Sequence, residues 1–195
     1  MKKQIGLFFG SFNPIHIGHL IIANHLVEHS AMKELWFVVT PQNPFKEKQS
    51  LLDNHLRLEM VNLAIESYPK LRASNIEFHL PQPNYTVNTL AYLEEKHPNT
   101  NFALIMGEDN LKSFHKWKNY EHILANYLIY VYPRISEGTV PEALTEHPHI
   151  TRVPAPIIEL SATFIREEIK AGRNIRPLLP EKVWQYIDKL GLYFN

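Results

Sequence analysis

Four stretches of this chain are apolar almost without interruption: QIGLFF (Gln4–Phe9), ELWFVVT (Glu34–Thr40), NFALIMG (Asn101–Gly107) and YLIYVYPR (Tyr127–Arg134). Each is too short for a buried helix and lacks the alternation of a strand with one wet face. Such runs read as strands covered on both faces. Between them lie segments with apolar residues at helical spacing, such as GHLIIANHLVEH after the first run and LDNHLRLEMVNLAIES, with Asp53 placed as an N-cap, after the second. Further helices are expected from about Thr86, in YEHILAN, in SATFIREEIKAG behind a Ser161 cap, and in PEKVWQYIDKLGLYF from Pro180. A short helix is expected around EDNLKSFHKW, and LRASNIEF and HITRV read as shorter strands. Residues 135–149 carry no clear pattern.

Strands alternating with helices imply a parallel sheet with helices on both faces and right-handed crossovers. The expected fold class is therefore α/β, a Rossmann-like doubly wound parallel sheet with a C-terminal helical extension. Ligands in such sheets bind beyond the carboxyl ends of the strands. No linker, repeat or low-complexity tract divides the chain, so residues 1–195 are expected to form a single domain.

Charge narrows the partners. With 20 basic and 20 acidic residues the formal net charge is zero. A general nucleic-acid binder needs a basic surplus to displace counterions, so no nucleic acid is expected as a partner. A small anion held by a few cations remains compatible. There is no cysteine, which excludes thiol catalysis and zinc–thiolate sites. No stretch approaches the ~20 apolar residues of a membrane span. The apolar run after Lys2 and Lys3 is too short for a signal-peptide core. The expectation is a cytoplasmic protein with no membrane partner, and a homo-oligomer is left open.

The chemistry concentrates at the first strand-to-helix junction, GLFFGSFNPIHIGHL (Gly6–Leu20). Neither a GxxxxGK[ST] phosphate loop nor a GxGxxG fingerprint is present. Instead Gly10, Ser11 and Phe12 precede His16, Ile17, Gly18 and His19. Gly10 would permit close backbone approach to a ligand. Gly18 would let a phosphate sit on the first helical turn, where unpaired N–H groups and the helix dipole favour anions. His16 and His19, three apart, could both donate to phosphoryl oxygens as charge builds up. The alternative is an ordinary helix start with two polar histidines.

A second cluster, Ser161, Thr163 and Arg166, opens a later helix. Its hydroxyls, N–H groups and planar guanidinium could meet one anion, or it could be plain capping with a solvated arginine. Lys46 stands in the loop PQNPFK, where a lysine is usually solvated. Asp109 could hold ribose hydroxyls, influence a metal or cap a helix. Trp117 could stack on a flat ring or fill the core. No HExxH-like spacing occurs among the eleven histidines, so no tight protein-ligated metal is expected.

Together these motifs resemble the nucleotidylyltransferase superfamily, marked by [TH]xGH after the first strand. They are similar in particular to the nicotinate (nicotinamide) mononucleotide adenylyltransferases of bacterial NAD biosynthesis. GLFFGSFNPIHIGHL matches the opening motif, PQNPFK the lysine loop, NYTVNTL a Tyr-Thr-x-x-Thr-Leu segment, IMGEDNLKSFHKW a Gly-x-Asp…Trp segment, and LSATFIREEI the C-terminal Ser-x-Thr-x-x-Arg signature. Three positions depart from the common pattern: Asn13 stands for Asp, Ala162 for Ser, and Phe45 for the His before Lys46.

The resemblance implies an enzyme that transfers the adenylyl group of ATP to nicotinate mononucleotide, giving nicotinate adenine dinucleotide and pyrophosphate. It implies ATP across the first junction, near Gly10, Ser11, Phe12 and Gly18. His16, His19, Lys46, Ser161, Thr163 and Arg166 would surround the triphosphate, with Gly107 and Asp109 at the adenosine ribose. The mononucleotide would meet Tyr85, Thr86, Trp117 and Lys118, with Arg57 and Arg134 as further candidates for it or its phosphate. Mg²⁺ would be carried mainly by the ATP phosphates. Three alternatives stand beside this reading: the same transfer to nicotinamide mononucleotide, transfer to phosphopantetheine, and a non-catalytic nucleotide sensor.

Overall fold

A computed structural model describes residues 2–41 and 51–194 of the chain. Lys46 and Phe45 lie outside the described residues.

The four apolar runs become β1 (Lys3–Gly10), β2 (Glu34–Val39), β4 (Thr100–Gly107) and β5 (Leu128–Tyr132), joined by β3 (Leu71–Ser74) and β6 (Ile150–Arg152). All six are parallel, in the order β3-β2-β1-β4-β5-β6. The chain builds outward from β1 to β3, then returns to add β4 on the other side of β1. The carboxyl ends of β1 and β4 therefore face a crevice where the winding direction switches.

Period-two alternation within β1 explains its unbroken hydrophobicity. Phe8 enters one core, and Ile5 and Leu7 enter the other. The first core holds α1 (Ile17–Glu28), α2 (Asn54–Ile65), α7 (Ala162–Lys170) and α8 (Glu181–Leu190) against the sheet. The second packs α3 (Thr86–Lys96), α4 (Glu108–Lys112) and α5 (Tyr120–Asn126) on the opposite face. The sheet is thus doubly wound, as expected, and α8 is the C-terminal extension. Fully buried side chains such as Leu7, Phe37 and Leu104 each contribute about 1.5–3 kcal/mol of burial. Among the described residues no helix is long and apolar enough to cross a membrane.

Local signals mostly decide the helix ends. Asp53 caps α2, its carboxylate accepting from the His55 N–H at 2.8 Å. Ser161 caps α7, its hydroxyl accepting from the Phe164 N–H at 3.1 Å. Three segments differ from the expectation. The strand predicted over LRASNIEF stops at Ser74, and Ile76–His79 form a 3-10 turn. A short helix, α6 (Glu142–Thr145), occupies the unpatterned stretch. The last helix ends at Leu190, because Gly191 takes a left-handed φ of 61° and the Leu192 N–H returns to the Ile187 carbonyl at 3.0 Å. Residues 191–194 leave α8 as a turn.

Candidate active site

A cavity of about 590 Å³ opens at the switch point. Its walls come from the ends of β1 and β4, the starts of α1, α3 and α7, and the segments around Trp117 and Arg134.

The loop after β1 is rigid by construction. Phe12 is buried with φ 45°, a left-handed conformation that a non-glycine residue holds only when its surroundings over-determine it. Its ring packs edge-on against Phe37 at 5.3 Å and His19 at 5.1 Å, which supplies that determination. The same ring fills the space over Gly10: a Cβ there would lie 2.7 Å from Phe12 Cζ. Gly10 thus makes room for Phe12, where the sequence suggested room for a ligand.

The His16 and His19 rings lie against each other, tilted by 30°, with centroids 3.7 Å apart. The His19 Nδ1 accepts the His16 backbone N–H at 3.2 Å, so a neutral His19 carries its proton on Nε2. His16 is buried, and burial first, then the charge of Arg134, lowers its pKa to about 3. It is a neutral imidazole at pH 7. Gly18, between them, cannot bear a side chain without crowding: a Cβ would meet Ile158 Cγ2 at 2.9 Å and His16 Nδ1 at 3.0 Å.

Opposite α1, Thr163 and Arg166 rise from the start of α7. Arg166 donates from Nη1 to the Asn13 carbonyl at 2.8 Å and from Nη2 to the Thr163 hydroxyl at 3.3 Å. Two helix N-termini remote in sequence therefore converge through Asn13. The Asn13 side chain is buried and accepts on Oδ1 from the Leu52 N–H at 3.3 Å and the Tyr193 hydroxyl at 2.8 Å. An acceptor oxygen is what these two donors require, and Asn supplies it as Asp does.

Further along the wall, Gly107 ends β4 and Asp109 begins α4. Asp109 Oδ2 lies 3.5 Å from Arg134 Nη1, pairing two of the expected site residues. Tyr132 beside them has its phenol pushed up to about 12, chiefly by burial. At the start of α3, Tyr85 is covered by the Lys118 ammonium, 4.4 Å from the ring centroid. Trp117 packs edge-on against Phe114 at 5.5 Å and keeps part of its ring exposed to the cavity. Trp117 therefore packs against the core, as its second reading expects, while lining the cavity.

The structure brings His16, His19, Ser161, Thr163, Arg166, Asp109, Tyr85, Thr86, Trp117, Lys118 and Arg134 to the same cavity, with Ser11 and the glycines. Arg57 is the exception. It is 0 % exposed, and its guanidinium donates to the carbonyls of Ser11, Thr40 and Leu52 and to Asn54 Oδ1. Its donors are engaged by the chain itself, beneath the loops, and it does not line the cavity. A basic residue on an amphipathic helix reads as exposed; a ring of inward carbonyls, invisible in sequence, explains its burial.

Glu77 escaped the sequence reading. It lies in the cavity floor, 1 % exposed, with Oε1 accepting from the Thr89 hydroxyl at 2.7 Å. Burial raises its pKa, against hydrogen bonds from Thr89 and Thr40. Asn84 donates to the Glu77 carbonyl at 3.1 Å. Thr89, the second threonine of the Tyr-Thr-x-x-Thr segment, therefore anchors α3 while Thr86 faces the cavity. Nothing near Glu77 in sequence signals this.

Known proteins resemble this chain along nearly its whole length. A family model described as "Cytidylyltransferase-like" matches residues 7–168. A Christiangramia forsetii protein named "Probable nicotinate-nucleotide adenylyltransferase" is 65% identical, covering 99% of this chain and 100% of its own length. Proteins of the same name from Flavobacterium psychrophilum and Bacteroides fragilis are 62% and 46% identical, covering 97% and 95% of this chain and 98% and 92% of theirs. Among solved structures, the "Plasmodium falciparum nicotinic acid mononucleotide adenylyltransferase complexed with NaAD" superposes with a TM-score of 0.81 at 21% identity, over 98% of each chain. That likeness establishes the shared fold.

Proposed function

This chain belongs to the cytidylyltransferase-like family and groups with its nicotinate-nucleotide adenylyltransferases, and from that premise we propose that it transfers the adenylyl group of ATP to nicotinate mononucleotide. The observation that carries the reading is the convergence, in one cavity, of an imidazole- and guanidinium-lined pair of helix N-termini with an aromatic wall at Tyr85 and Trp117. Phosphates suit the first and a flat pyridine ring suits the second.

In the reaction, an oxygen of the mononucleotide 5′-phosphate attacks the α-phosphorus of ATP. A new P–O bond forms, the bond to the bridging α–β oxygen breaks, and pyrophosphate leaves with that electron pair. The attacking oxygen is already anionic, so no general base is required. The protein's task is positioning and charge stabilisation. His19 donates through Nε2–H to a phosphoryl oxygen, and neutral His16 supports it from below. Arg166, held in plane by Asn13 and Thr163, neutralises charge on the departing pyrophosphate, with Ser161 and the first N–H groups of α7 beside it. Lys46 is assigned the same leaving-group role by its motif. Gly107 and Asp109 meet the adenosine ribose, with Arg134 orienting Asp109. Trp117 stacks on the pyridine, and the Thr86 and Lys118 N–H groups meet its carboxylate.

Mg²⁺ is the cation we assign. The donors around the phosphate end are imidazole, hydroxyl and guanidinium, and among the described residues no group of three or more His, Asp or Glu could hold a metal. That donor set fits a cation carried by ATP phosphates and water, which would screen the triphosphate charge. We also read the chain as one domain acting in the cytoplasm.

The test is pyrophosphate release from ATP–Mg²⁺ with nicotinate mononucleotide, nicotinamide mononucleotide or phosphopantetheine supplied in turn. Release with nicotinate mononucleotide, well above the other two, is expected. Preference for either alternative would reassign the acceptor, and no release with any would overturn the reading.

A further inference from the structure

Tyr193 lies in the turn that follows α8, outside every motif of the sequence, yet its hydroxyl donates to Asn13 Oδ1 across a separation of 180 residues. Two observations mark this contact as built. Tyr193 holds a φ of 68°, in the left-handed region that costs a non-glycine residue about 1–2 kcal/mol. The phenol also sits beside two guanidiniums, Arg166 and Arg57, whose charges oppose the rise that burial imposes on its pKa. A neutral hydroxyl facing two cations donates its hydrogen bond elsewhere, and Asn13 Oδ1 is the acceptor provided.

The geometry around Asn13 has a mechanical reading. Its carbonyl receives Arg166 Nη1 at 2.8 Å, while its side chain receives Leu52 N–H and Tyr193. One residue upstream of Phe12, the Ser11 carbonyl is gripped by Arg57. The short Ser11–Asn13 loop is thus held by α2 from below and by the turn after α8 from the side. Movement of the Asn13 side chain would rotate its peptide and misalign the carbonyl that orients Arg166.

We infer that Tyr193 is a positioning residue for the phosphate clamp: through Asn13 it sets the guanidinium plane of Arg166, so that the turn following α8 determines how well the triphosphate is gripped. This rests on the adenylyl-transfer reading above for what Arg166 contacts. The Ser11–Asn13 loop would then be incomplete without a residue that touches no substrate.

Four purified full-length proteins decide it: wild type, Tyr193→Phe, Arg166→Lys and the double variant, with Phe194→Ala as a control for disturbance of the turn. Loss of one hydrogen bond corresponds to roughly a 3–10-fold change. Tyr193→Phe is expected to lower kcat/KM for ATP by that factor, leaving KM for the mononucleotide within about twofold. Phe194, exposed and without a site contact, is expected to leave both parameters unchanged. In the Arg166→Lys background, removing the Tyr193 hydroxyl is expected to cost little more, because the group it orients is gone. Wild-type kinetics in Tyr193→Phe, equal losses toward both substrates, an equal loss in Phe194→Ala, or losses that multiply in the double variant would each overturn the inference. Absence of turnover in the wild type would overturn the functional reading alone. In that event ATP affinity by calorimetry makes the same comparison, weaker binding by Tyr193→Phe supporting the inference and equal binding sinking it.

Discussion

Two helix starts face each other across the cavity, and they are made by opposite means. The start of α1 is buried and aromatic. His16 is 5 % exposed, its ring lies against that of His19, and Phe12 packs edge-on against His19. The start of α7 is open. Thr163 is exposed, only Ile165 and Ile169 of the helix are buried, and Arg166 is aimed by a carbonyl 153 residues away. The first terminus is preorganised by local packing. The second is preorganised by a long-range tether on a mobile type of side chain. One wall of the cavity is thus fixed by packing, and the other is set by a single guanidinium and its distant acceptor.

The sharpest break to that contrast is His19→Ala. Removing a preorganised donor to a developing oxyanion costs on the order of 10²–10³ in kcat. Pyrophosphate release should fall by that factor with circular dichroism unchanged; a loss below tenfold would remove His19 from the chemistry. Next comes Arg57→Met, which leaves three carbonyls and Asn54 without their donor. A destabilisation of about 3–5 kcal/mol is expected from breaking so buried a charged network, read as a shift of the urea midpoint. A surface-like effect under 0.5 kcal/mol would show that the β1 loop is rigid without it.

Protonation separates the two ends further. The folded His16 pKa of about 3 lies below the ordinary value of 6.5, so between those pH values the unfolded chain binds more protons. The His16 contribution is full above pH 6.5 and is lost as pH falls toward 3, at up to ~1.4 kcal/mol per pH unit. His16→Asn should flatten that part of the stability–pH curve, measured by thermal melts across the window. Identical slopes would mean that His16 is not buried neutral. The smallest effect belongs to the open end. Ser161→Ala removes a cap and should cost about 1 kcal/mol. A kcat/KM loss for ATP well beyond tenfold would give the hydroxyl a direct phosphate contact.

Much of this was readable in the chain. Short unbroken apolar runs alternating with amphipathic segments read as strands covered on both faces, so the sheet and its two layers followed. Helix caps at Asp53 and Ser161 followed from local chemistry. Most expected site residues reach one cavity because strand ends and helix starts are where the fold exposes them. What stayed hidden depends on partners far away in sequence. Arg57 was a candidate for the mononucleotide because its acceptor carbonyls, from the connections after β1 and after β2, cannot be read from its own helix. Glu77 gave no sign, since its partner Thr89 belongs to another element. LGLYF continued the helical pattern of α8 on paper, yet Gly191 turns the chain and sends Tyr193 to Asn13.

The bond between Tyr193 and Asn13 also orders events in time. A polypeptide emerges from the ribosome amino end first, so the loop that carries Asn13 is exposed to solvent and to nucleotides long before its bolt is made. Residue 166 must appear before the second half of the clamp exists, and residue 193 before the loop is pinned. Until then the β1 loop is held by its nearer partners alone, Phe37 and His19 against Phe12 and Arg57 on the Ser11 carbonyl. The pinning of the Asn13 side chain is therefore acquired only once residue 193 has emerged, and not with the motif around it.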